Sequence, residues 1–331
     1  MVKPARATTA TSAGTSTCCS RCGSTPKSGS DNEGTSMQLG IIGLGKMGGN
    51  MRTRLRDAGH DIVGYDTNPQ LSDVEDLAGL VSRLDAPRAV WVMVPAGDAT
   101  HETIDALLPL LSAGDVVVDG GNSRFTDDTE HARRLQEHGI GFVDAGVSGG
   151  VWGPENGYAL MVGGEAEHVE KLQPIFDSLK PAGEYGFVHA GGVGAGHYSK
   201  MVHNGIEYGL MQAYAEGYEL LRASEHVTDV PAVFKSWREG TVVRSWLLDL
   251  LDRALDEDPQ LSQIAGYATD SGEGRWTVEE SIRLAVPLPA ISAALYARFA
   301  SRQDDSEAMK AIAALRQQFG GHSVRRNDSS S

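Results

Sequence analysis

Between residue 37 and about residue 190, short apolar runs alternate with stretches of helical pattern, and this alternation limits the possible folds more than any other feature. We predict helices that begin near Lys46, Ala99 and Asp127. Strands that alternate with helices are typical of a parallel, doubly wound α/β sheet with helices on both faces. The runs predicted as strands are Gln38–Ile42, Ile62–Tyr65, Ala89–Val94, Val116–Val118, Gly141–Val143 and Leu160–Val162.

Beyond Gly196 the strand pattern stops and only helical patterns follow. We therefore predict a doubly wound α/β domain over residues 37–192 and an all-α C-terminal domain over residues 193–331. The predicted helices of the second domain extend through Leu221, around Pro231–Trp237, through Val242–Leu255, across Val278–Ala300 and over Ser306–Gln318.

Residues 1–36 have a different composition, because Ser, Thr, Gly and Ala dominate and large apolar side chains are scarce. Such a segment cannot build a core, so we predict a disordered low-complexity tail and a fold that opens at Met37. An upstream start codon is an alternative origin, and the Arg, Ser and Thr content faintly resembles a transit peptide. Cys18, Cys19 and Cys22 all lie in this tail, and Cys19 and Cys22 have the spacing of half a zinc site. No second pair completes it, so we predict no metal.

The charge balance excludes several classes of partner. The chain carries a net charge of −15, and the tail contributes +2, which leaves −17 for residues 37–331. Such an acidic fold does not favour nucleic acid, and no apolar run approaches the roughly 18 residues of a membrane span. Only six lysines accompany the many acidic residues of the fold. We therefore expect a cytoplasmic, halophilic protein whose self-repulsion is screened by salt.

A glycine-rich turn joins the first predicted strand to the first predicted helix, with the sequence Gly43-Leu44-Gly45-Lys46-Met47-Gly48. In a dinucleotide fingerprint the first glycine permits the tight turn, the second lets the pyrophosphate approach the backbone, and the third lets the helix pack on the sheet. The strand before the turn and the helix after it are the context that the fingerprint requires. We predict a nicotinamide dinucleotide site here.

Asp66 follows the second predicted strand and indicates which dinucleotide is bound. Its carboxylate can accept a hydrogen bond from a ribose 2′-hydroxyl and would repel a 2′-phosphate, and no Arg lies in the turn 66–69. We therefore predict NAD, with NADP less favoured. Asp66 can also cap the turn that leads to Asn68 and Pro69, and the two roles can coexist.

The run 200–208 places polar groups at helical spacing. Lys200, His203, Asn204 and Glu207 stand at i, i+3, i+4 and i+7, so they share one stripe of a helix. Apolar neighbours and two glycines, at positions 205 and 209, predict that this helix is largely buried. A buried Lys and Glu would have the perturbed proton affinities that a general base and a general acid require. A solvated polar face is the alternative interpretation.

From about residue 37 to residue 322, the sequence resembles the decarboxylating 6-phosphogluconate dehydrogenases of the β-hydroxyacid dehydrogenase superfamily. The 295 residues after the tail are similar in length to the short form, which has one helical repeat. The segments that carry the resemblance are Gly43–Gly48, Met93–Gly97 (which contains Val94, Pro95 and Ala96), Asp119–Ser123, Gly146–Gly150, Gly194–Tyr208 and Arg316–His322.

The resemblance implies oxidation of 6-phosphogluconate at C3 and loss of CO2 to give ribulose 5-phosphate, a reaction of the pentose phosphate pathway and of gluconate utilisation. It implies that Lys200 exchanges the C3 hydroxyl proton and that Glu207 protonates C1 of the enediol. Asn204 and His203 would hold the C3 oxygen and the carboxylate. The other implied substrate ligands are Asn122, Ser148, Gly149, Gly150, Tyr208, Arg298, Arg316 and His322, and the implied cofactor ligands are Gly43, Leu44, Gly45, Lys46, Met47, Gly48, Asp66, Val94, Pro95, Ala96 and Asn122.

One segment departs from the family pattern. Long-form members carry a Lys-Gly-Thr-Gly-Lys-Trp-Thr loop that contacts the substrate phosphate, and the aligned run here begins Ser271-Gly272-Glu273. A glutamate that faces a phosphate dianion would be repulsive. Glu273 is therefore expected either to point away or to leave the phosphate to the arginine, tyrosine and histidine ligands named above.

The family also implies a homodimer or a dimer of dimers in which the C-terminal segment of each chain reaches the site of its partner. Two rival functions stay open from the sequence. One is an NAD-dependent dehydrogenase or reductase for another small 3-hydroxy acid, which would share Lys200 and Asn204 but would not need Glu207, Arg298, Arg316 and His322. The other is a non-catalytic dinucleotide-binding sensor.

Overall fold

The computed structural model describes residues 36–320 and 323–325. The tail with its three cysteines, up to residue 35, and His322 lie outside the described residues. One seven-stranded sheet forms the first part of the fold, in the order β2-β1-β3-β4-β5-β6-β7. The strands are β1 Gln38–Ile42, β2 Asp61–Tyr65, β3 Ala89–Val92, β4 Val116–Asp119, β5 Gly141–Ser148, β6 Ala159–Gly164 and β7 Phe187–Gly191.

Helices connect the strands and cover both faces of the sheet, as the doubly wound α/β class requires. They are α1 Lys46–Asp57, α2 Leu77–Ser82, α3 Asp98–Leu107, α4 Phe125–Gln136, α5 Gly153–Asn156, α6 Ala166–Lys171 and α7 Gln173–Leu179, with a short 3₁₀ turn at Gly150–Trp152. The described residues after β7 contain only helices, namely α8 Ala195–Ala223, α9 Val230–Trp237, α10 Trp246–Glu257, α11 Glu273–Leu284, α12 Pro289–Ala300 and α13 Glu307–Gly320.

The sheet departs from the predicted parallel arrangement at one place. β5 and β6 pair antiparallel, whereas every other neighbouring pair is parallel. Residues 149–158 between them are too few for the crossover of a dozen or more residues that parallel neighbours need, so the chain turns back directly. β5 is also longer than predicted, because it ends at Ser148 and not near Val143.

Other elements differ from the sequence prediction, among them the short helices α2, α5, α6 and α7, which were not predicted. β7 was not predicted, because its central residues are exposed at the edge of the sheet and lack the apolar pattern of a buried strand. The predicted helix over Val278–Ala300 is two helices, α11 and α12. Ala285 adopts a left-handed conformation with φ of 55° at the end of α11, and Pro287 and Pro289 cannot continue its hydrogen bonding.

Alternate residues of each central strand enter two different apolar layers. In β3, Trp91 packs with Leu39 and Phe176 in one layer, and Val90 packs with Ile104 in the other. This two-sided burial explains the nearly continuous apolar runs of the sequence. Among the described residues, no helix is both long and apolar enough to cross a membrane.

Candidate active site

The glycine-rich turn between β1 and α1 forms a cradle in which each glycine meets a different constraint. Gly43 has φ of +88°, and a Cβ there would lie 2.5 Å from the Met93 carbonyl oxygen. A Cβ at Gly48 would lie 2.0 Å from the Gly43 carbonyl oxygen, so this glycine lets α1 pack against the turn. A Cβ at Gly45 would meet no atom within 4 Å, and the backbone there is open to a ligand. The cradle therefore fits the pyrophosphate of a dinucleotide at the helix N-terminus.

A cavity of about 830 Å³ lies in front of the cradle. Its walls include most of the predicted cofactor residues: Gly43, Gly45, Lys46, Met47, Gly48, Asp66, Val94, Pro95 and Asn122. Leu44 and Ala96 do not line it. The Leu44 side chain is buried in the core, and Ala96 is exposed.

The sequence reasoning missed one wall of this cavity. Ala99, Glu102, Thr103 and Ala106 of α3 all line it. Their spacing of i, i+3, i+4 and i+7 places them along one stripe of the helix. That periodicity was visible in the sequence, but its small and polar residues do not distinguish a ligand-facing stripe from a solvated one.

Asp66 orders the cradle from the end of β2. Its Oδ2 accepts a hydrogen bond from the Leu44 amide at 2.6 Å, and its Oδ1 accepts one from the Asn68 amide at 2.8 Å. Asp66 therefore caps the turn. It also borders the cavity, and because each carboxylate oxygen has a second lone pair, a ribose hydroxyl could donate a further hydrogen bond to it.

The end of β5 separates the dinucleotide cavity from the polar stripe of α8. Val147 lines the cavity, whereas a Cβ at Gly146 would lie 2.4 Å from Cβ of Lys200. Successive residues of a strand point to opposite faces, so Ser148 lies on the same face as Gly146. Lys200, Ser148 and the cavity wall are thus brought together at the carboxyl end of the sheet.

The polar stripe of α8 is only half buried, which corrects the prediction of a largely buried helix. Lys200 and Asn204 are each 9% exposed, whereas the side chains of His203 and Glu207 are 44% and 39% exposed. The buried face of α8 also carries His197, Met201 and Tyr208, and the predicted stripe runs along the edge of that face. Two of the four polar groups therefore face the open side of the helix.

The four polar groups of the stripe nevertheless form one chain of contacts. Nζ of Lys200 donates to Oδ1 of Asn204 at 2.9 Å, and Nδ1 of His203 lies 3.1 Å from the same oxygen. Nδ1 of His203 is also 3.9 Å from Oε2 of Glu207. Burial lowers the pKa of Lys200, and the charges of Glu273 and Glu207 oppose this shift. A buried amine with a lowered pKa is suited to accept a proton near neutral pH.

The side chain of Glu273 does not face solvent. It lies at the start of α11 and is 1% exposed. Burial raises the pKa of its carboxyl group to about 7, and the charges of Lys200 and His197 oppose this rise. The side chain is thus buried where α11 packs against α8.

Two of the predicted phosphate ligands are in contact. The guanidinium carbon of Arg298 lies 3.6 Å from the centre of the Tyr208 ring, and the Tyr208 hydroxyl accepts a hydrogen bond from the Ser271 amide at 3.2 Å. Arg316 is on α13 and exposed, while His322 lies outside the described part of the chain. Asn122 lines the cavity, and Gly149 and Gly150 follow β5 directly.

A buried charged cluster anchors the start of α8. Both oxygens of Asp128 lie 2.9 Å from Nδ1 of His197, and Asp144 accepts hydrogen bonds from the amides of Gly194 and His197. Burial opposes a charge on His197, but the carboxylates of Asp128, Asp119 and Asp144 outweigh it and raise the pKa of His197 to about 10. The Asp119, Asp128 and His197 groups lie within 4.8 Å of one another. Burial raises the pKa of Asp128 to about 7, and His197 opposes this rise. The higher pKa of His197 favours the proton of this pair on the imidazole.

Together, the cradle, the cavity and the buried lysine define a dinucleotide-binding protein of the dehydrogenase class. Comparison with known proteins makes this specific. Residues 38–186 match the NAD-binding domain of 6-phosphogluconate dehydrogenase, and residues 196–331 match the C-terminal domain of that enzyme. The chain belongs to the 6-phosphogluconate dehydrogenase family.

Individual relatives agree with this assignment. A Haloferax volcanii protein, named 6-phosphogluconate dehydrogenase, NAD(+)-dependent, decarboxylating, is 43% identical over 88% of this chain and 100% of its own length. A Lactococcus lactis 6-phosphogluconate dehydrogenase is 35% identical, but the match covers 64% of its length and 84% of this chain. The solved structure of the Plasmodium falciparum enzyme superposes with a TM-score of 0.75 at 26% identity, covering 89% of this chain and 67% of that one. The match thus spans the whole Haloferax volcanii relative and about two thirds of each of the other two proteins.

Proposed function

We propose that this protein catalyses the oxidative decarboxylation of 6-phosphogluconate to ribulose 5-phosphate and CO2, with reduction of NAD. The observation that carries the proposal is the position of Lys200, a buried amine with a lowered pKa that lies across β5 from the dinucleotide cavity. The decarboxylating, NAD-dependent name of the Haloferax volcanii relative supports the same reaction.

Lys200 is the proposed base. NAD, when bound, supplies the acceptor for the hydride that leaves C3 of the substrate. Neutral Lys200 takes the C3 hydroxyl proton during this oxidation. The protonated amine then returns the proton to the C3 carbonyl oxygen as the bond to the carboxylate breaks and CO2 leaves. One amine thus serves both steps, because a β-keto acid loses CO2 readily once its carbonyl is protonated or hydrogen-bonded.

Glu207 is the proposed acid for the last step. It donates a proton to C1 of the enediol, and the enediol hydroxyl proton returns to Lys200. With 39% of its side chain exposed, Glu207 can regain its proton from solvent. Asn204, held by Lys200 at 2.9 Å, orients the C3 oxygen together with His203.

The remaining ligands divide between the two ends of the substrate. Asn122 and Ser148, with the backbone of Gly149 and Gly150, are proposed to bind the carboxylate and hydroxyl groups near β5. Tyr208 and Arg298 are proposed to bind the phosphate, since the arginine already lies over the tyrosine ring. Arg316 and His322 are proposed to complete the phosphate site from the partner chain of a dimer.

The dinucleotide preference is proposed to depend on Asp66. Its carboxylate borders the cavity and would meet the 2′ position of the adenosine ribose with a hydrogen-bond acceptor and a negative charge. Gly43, Gly45 and Gly48 hold the pyrophosphate, and Lys46, Met47, Val94 and Pro95 border the same cavity.

We also propose the setting in which this reaction occurs. Residues 37–192 are proposed to form a Rossmann-type dinucleotide-binding domain, and residues 193–331 a helical substrate and dimerisation domain. The acidic composition and the Haloferax volcanii relative favour a cytoplasmic enzyme of the pentose phosphate pathway that tolerates high salt.

Turnover of 6-phosphogluconate by the purified full chain tests the function. We expect reduction of NAD with stoichiometric release of CO2, slower reduction of NADP, and activity retained in molar KCl. Lys200→Met should abolish turnover but leave NAD binding nearly unchanged, because it removes the proton acceptor and spares the phosphate cradle. Oxidation of a small 3-hydroxy acid in preference to 6-phosphogluconate would overturn the proposal.

A further inference from the structure

Glu273 is a buried carboxyl group to which the proposed mechanism gives no role. It begins α11, and that helix packs tightly on α8. Oγ1 of Thr277 donates a hydrogen bond to the Met201 carbonyl oxygen at 2.9 Å, and a Cβ at Gly205 would lie 2.7 Å from Cγ2 of Thr277. This close approach holds the start of α11, with Glu273, against the buried face of α8 that also carries Lys200 and Asn204.

One oxygen of the buried Glu273 carboxyl group lacks a hydrogen-bond partner. Within residues 36–320 and 323–325, Oε2 of Glu273 is buried and has no hydrogen-bond partner. The charges that face Glu273 are those of Lys200 and His197, both on α8. His197 already has its own carboxylate partner, Asp128 of α4, which it contacts at 2.9 Å. Lys200 is therefore the cation near Glu273 that has no carboxylate partner of its own within ion-pair distance among the described residues.

Lys200 is in the complementary situation. Its hydrogen bond goes to the neutral amide oxygen of Asn204. The carboxylates that face it are Glu273 of α11 and Glu207 of α8, and Glu273 acts more strongly. Glu207 is 39% exposed, so solvent screens its charge, whereas Glu273 is 1% exposed. An opposite charge is most effective where water is excluded.

The reaction assigned to Lys200 needs such a counter-charge. Burial alone would push the amine far toward its neutral form and make it a weak base. A weak base accepts the C3 hydroxyl proton poorly, and a Brønsted relation links that weakness to a slower oxidation. A nearby buried carboxylate raises the basicity of the amine again without forming a hydrogen bond that would compete with the substrate.

We propose that Glu273 is the buried counter-charge of Lys200 and sets the pH range over which Lys200 exchanges the substrate hydroxyl proton. This inference rests on the proposed function. Glu273 acts through Lys200, so it is a positioning residue and does not itself contact the reacting atoms. The burial of Glu273 also explains why a glutamate here is compatible with a phosphorylated substrate. The Glu273 charge interacts with the Lys200 amine and is not exposed to solvent.

The decisive measurement is the titration of Lys200 itself, because it does not require turnover. The chain has eight lysines, so protein labelled with [13Cε]lysine gives a tractable NMR spectrum, and Lys200→Arg identifies the Lys200 signal. In Glu273→Gln, which keeps the shape of the side chain, the midpoint of Lys200 should fall by about one pH unit or more. Glu273→Asp, which keeps the charge, should retain most of the wild-type midpoint.

Glu216→Gln is the matched control. Glu216 lies on α8 but is exposed and far along the helix from Lys200, so the Lys200 midpoint should not change. An unchanged midpoint in a folded Glu273→Gln protein would overturn the inference. If Glu273→Gln does not fold, two other results would overturn the inference. They are a wild-type Lys200 midpoint in Glu273→Ala and a large fall of the Lys200 midpoint in Glu273→Asp.

The pH profile of kcat/KM for 6-phosphogluconate supplies the second readout. The acidic limb should move to lower pH in Glu273→Gln, by a shift similar to that of the Lys200 midpoint. A merely structural role would lower the rate at every pH without moving the limb. Absence of wild-type turnover would refute the proposed function, whereas the NMR titration judges the Lys200–Glu273 coupling separately.

Discussion

At the scale of single residues, the site is built by side chains that satisfy two demands at once. Asp66 shows this most clearly, because its two oxygens order the cradle through Leu44 and the following turn through Asn68. The same carboxylate borders the cavity that a ribose would enter. Its removal should therefore affect loop order as well as dinucleotide choice, and a test has to separate the two.

Asp66→Asn and Asp66→Ala make that separation. Both variants lose the negative charge, but Asn keeps one oxygen that can accept from Leu44 or Asn68. We expect Asp66→Asn to weaken NAD by about tenfold or more, since a hydrogen bond to a charged group contributes roughly 1.5–3 kcal/mol. The affinity for NADP should fall less than the affinity for NAD, because the substitution removes the charge that repels the 2′-phosphate. Dissociation constants for both dinucleotides measure the ratio, and a wild-type protein that prefers NADP would contradict the argument.

The titration of His197 gives a prediction for folding stability. Its pKa is raised in the folded protein to about 10, from an ordinary 6.5. The folded state therefore holds a proton that the unfolded state has released, and this contribution is complete below pH 6.5 and lost as the pH rises through 10. We expect the free energy of unfolding in urea to fall between pH 7 and pH 9.5, by at most about 1.4 kcal/mol per pH unit from this group.

His197→Gln is the control for that pH dependence. It should be less stable at pH 7, because Asp128 loses its partner, and its stability should depend less steeply on pH. The groups that face His197 are Asp119, Asp128, Asp144 and Glu273. A wild-type stability that stays level from pH 7 to pH 9.5 at constant salt would show that the imidazole is neutral in the fold.

At the scale of elements, the sequence predicted features that depend on local residue pattern. It did not predict features that depend on how helices and strands pack against one another. The cradle from Gly43 to Gly48 could be predicted, because turn, strand and helix signals agree within a few residues. The half-exposure of the 200–207 stripe could not, because it depends on which side of α8 meets β5 and α11. The burial of Glu273 is of the same kind, since an acidic residue in a glycine-rich loop looks solvated until the helix packing is known.

The cradle itself offers a matched pair of substitutions. Gly48→Ala places a Cβ 2.0 Å from the Gly43 carbonyl oxygen, so the backbone must move. The helix propensity gained from alanine is about 1 kcal/mol, and forcing atoms into a packed contact costs typically 1–3 kcal/mol. Since the contact is with backbone, we expect a net loss of stability and of NAD binding.

Gly45→Ala should give the opposite pattern. Its Cβ would meet no protein atom within 4 Å, and its φ of −59° suits alanine. Stability in urea should stay close to wild type while NAD binding weakens, because the new methyl group occupies the surface proposed for the pyrophosphate. Equal effects of the two substitutions on NAD binding and stability would mean that the cradle does not approach the dinucleotide at Gly45.

At the scale of the whole molecule, several apolar side chains of the C-terminal helices are exposed in the single chain. On α13, Met309, Ile312 and Leu315 are 57%, 47% and 64% exposed. Their spacing of three residues places them near one another on the helix surface. Exposed apolar side chains grouped in this way are typical of an association surface. They support the proposal that α13 packs against a partner chain, and that Arg316 enters the partner's phosphate site.

Subunit complementation tests that proposal for the assembled molecule. In a symmetric dimer with exchanged C-terminal segments, each site combines Lys200 of one chain with Arg316 of the other. Lys200→Met and Arg316→Ala should each be inactive at low substrate concentration. After the two proteins are mixed and subunits exchange, one of the two sites in every heterodimer is intact, so about a quarter of wild-type activity should return. Recovery should need both variants, and mass spectrometry of differently tagged chains verifies the exchange. If exchange is complete and no activity returns, Arg316 acts on its own chain or has no part in the site.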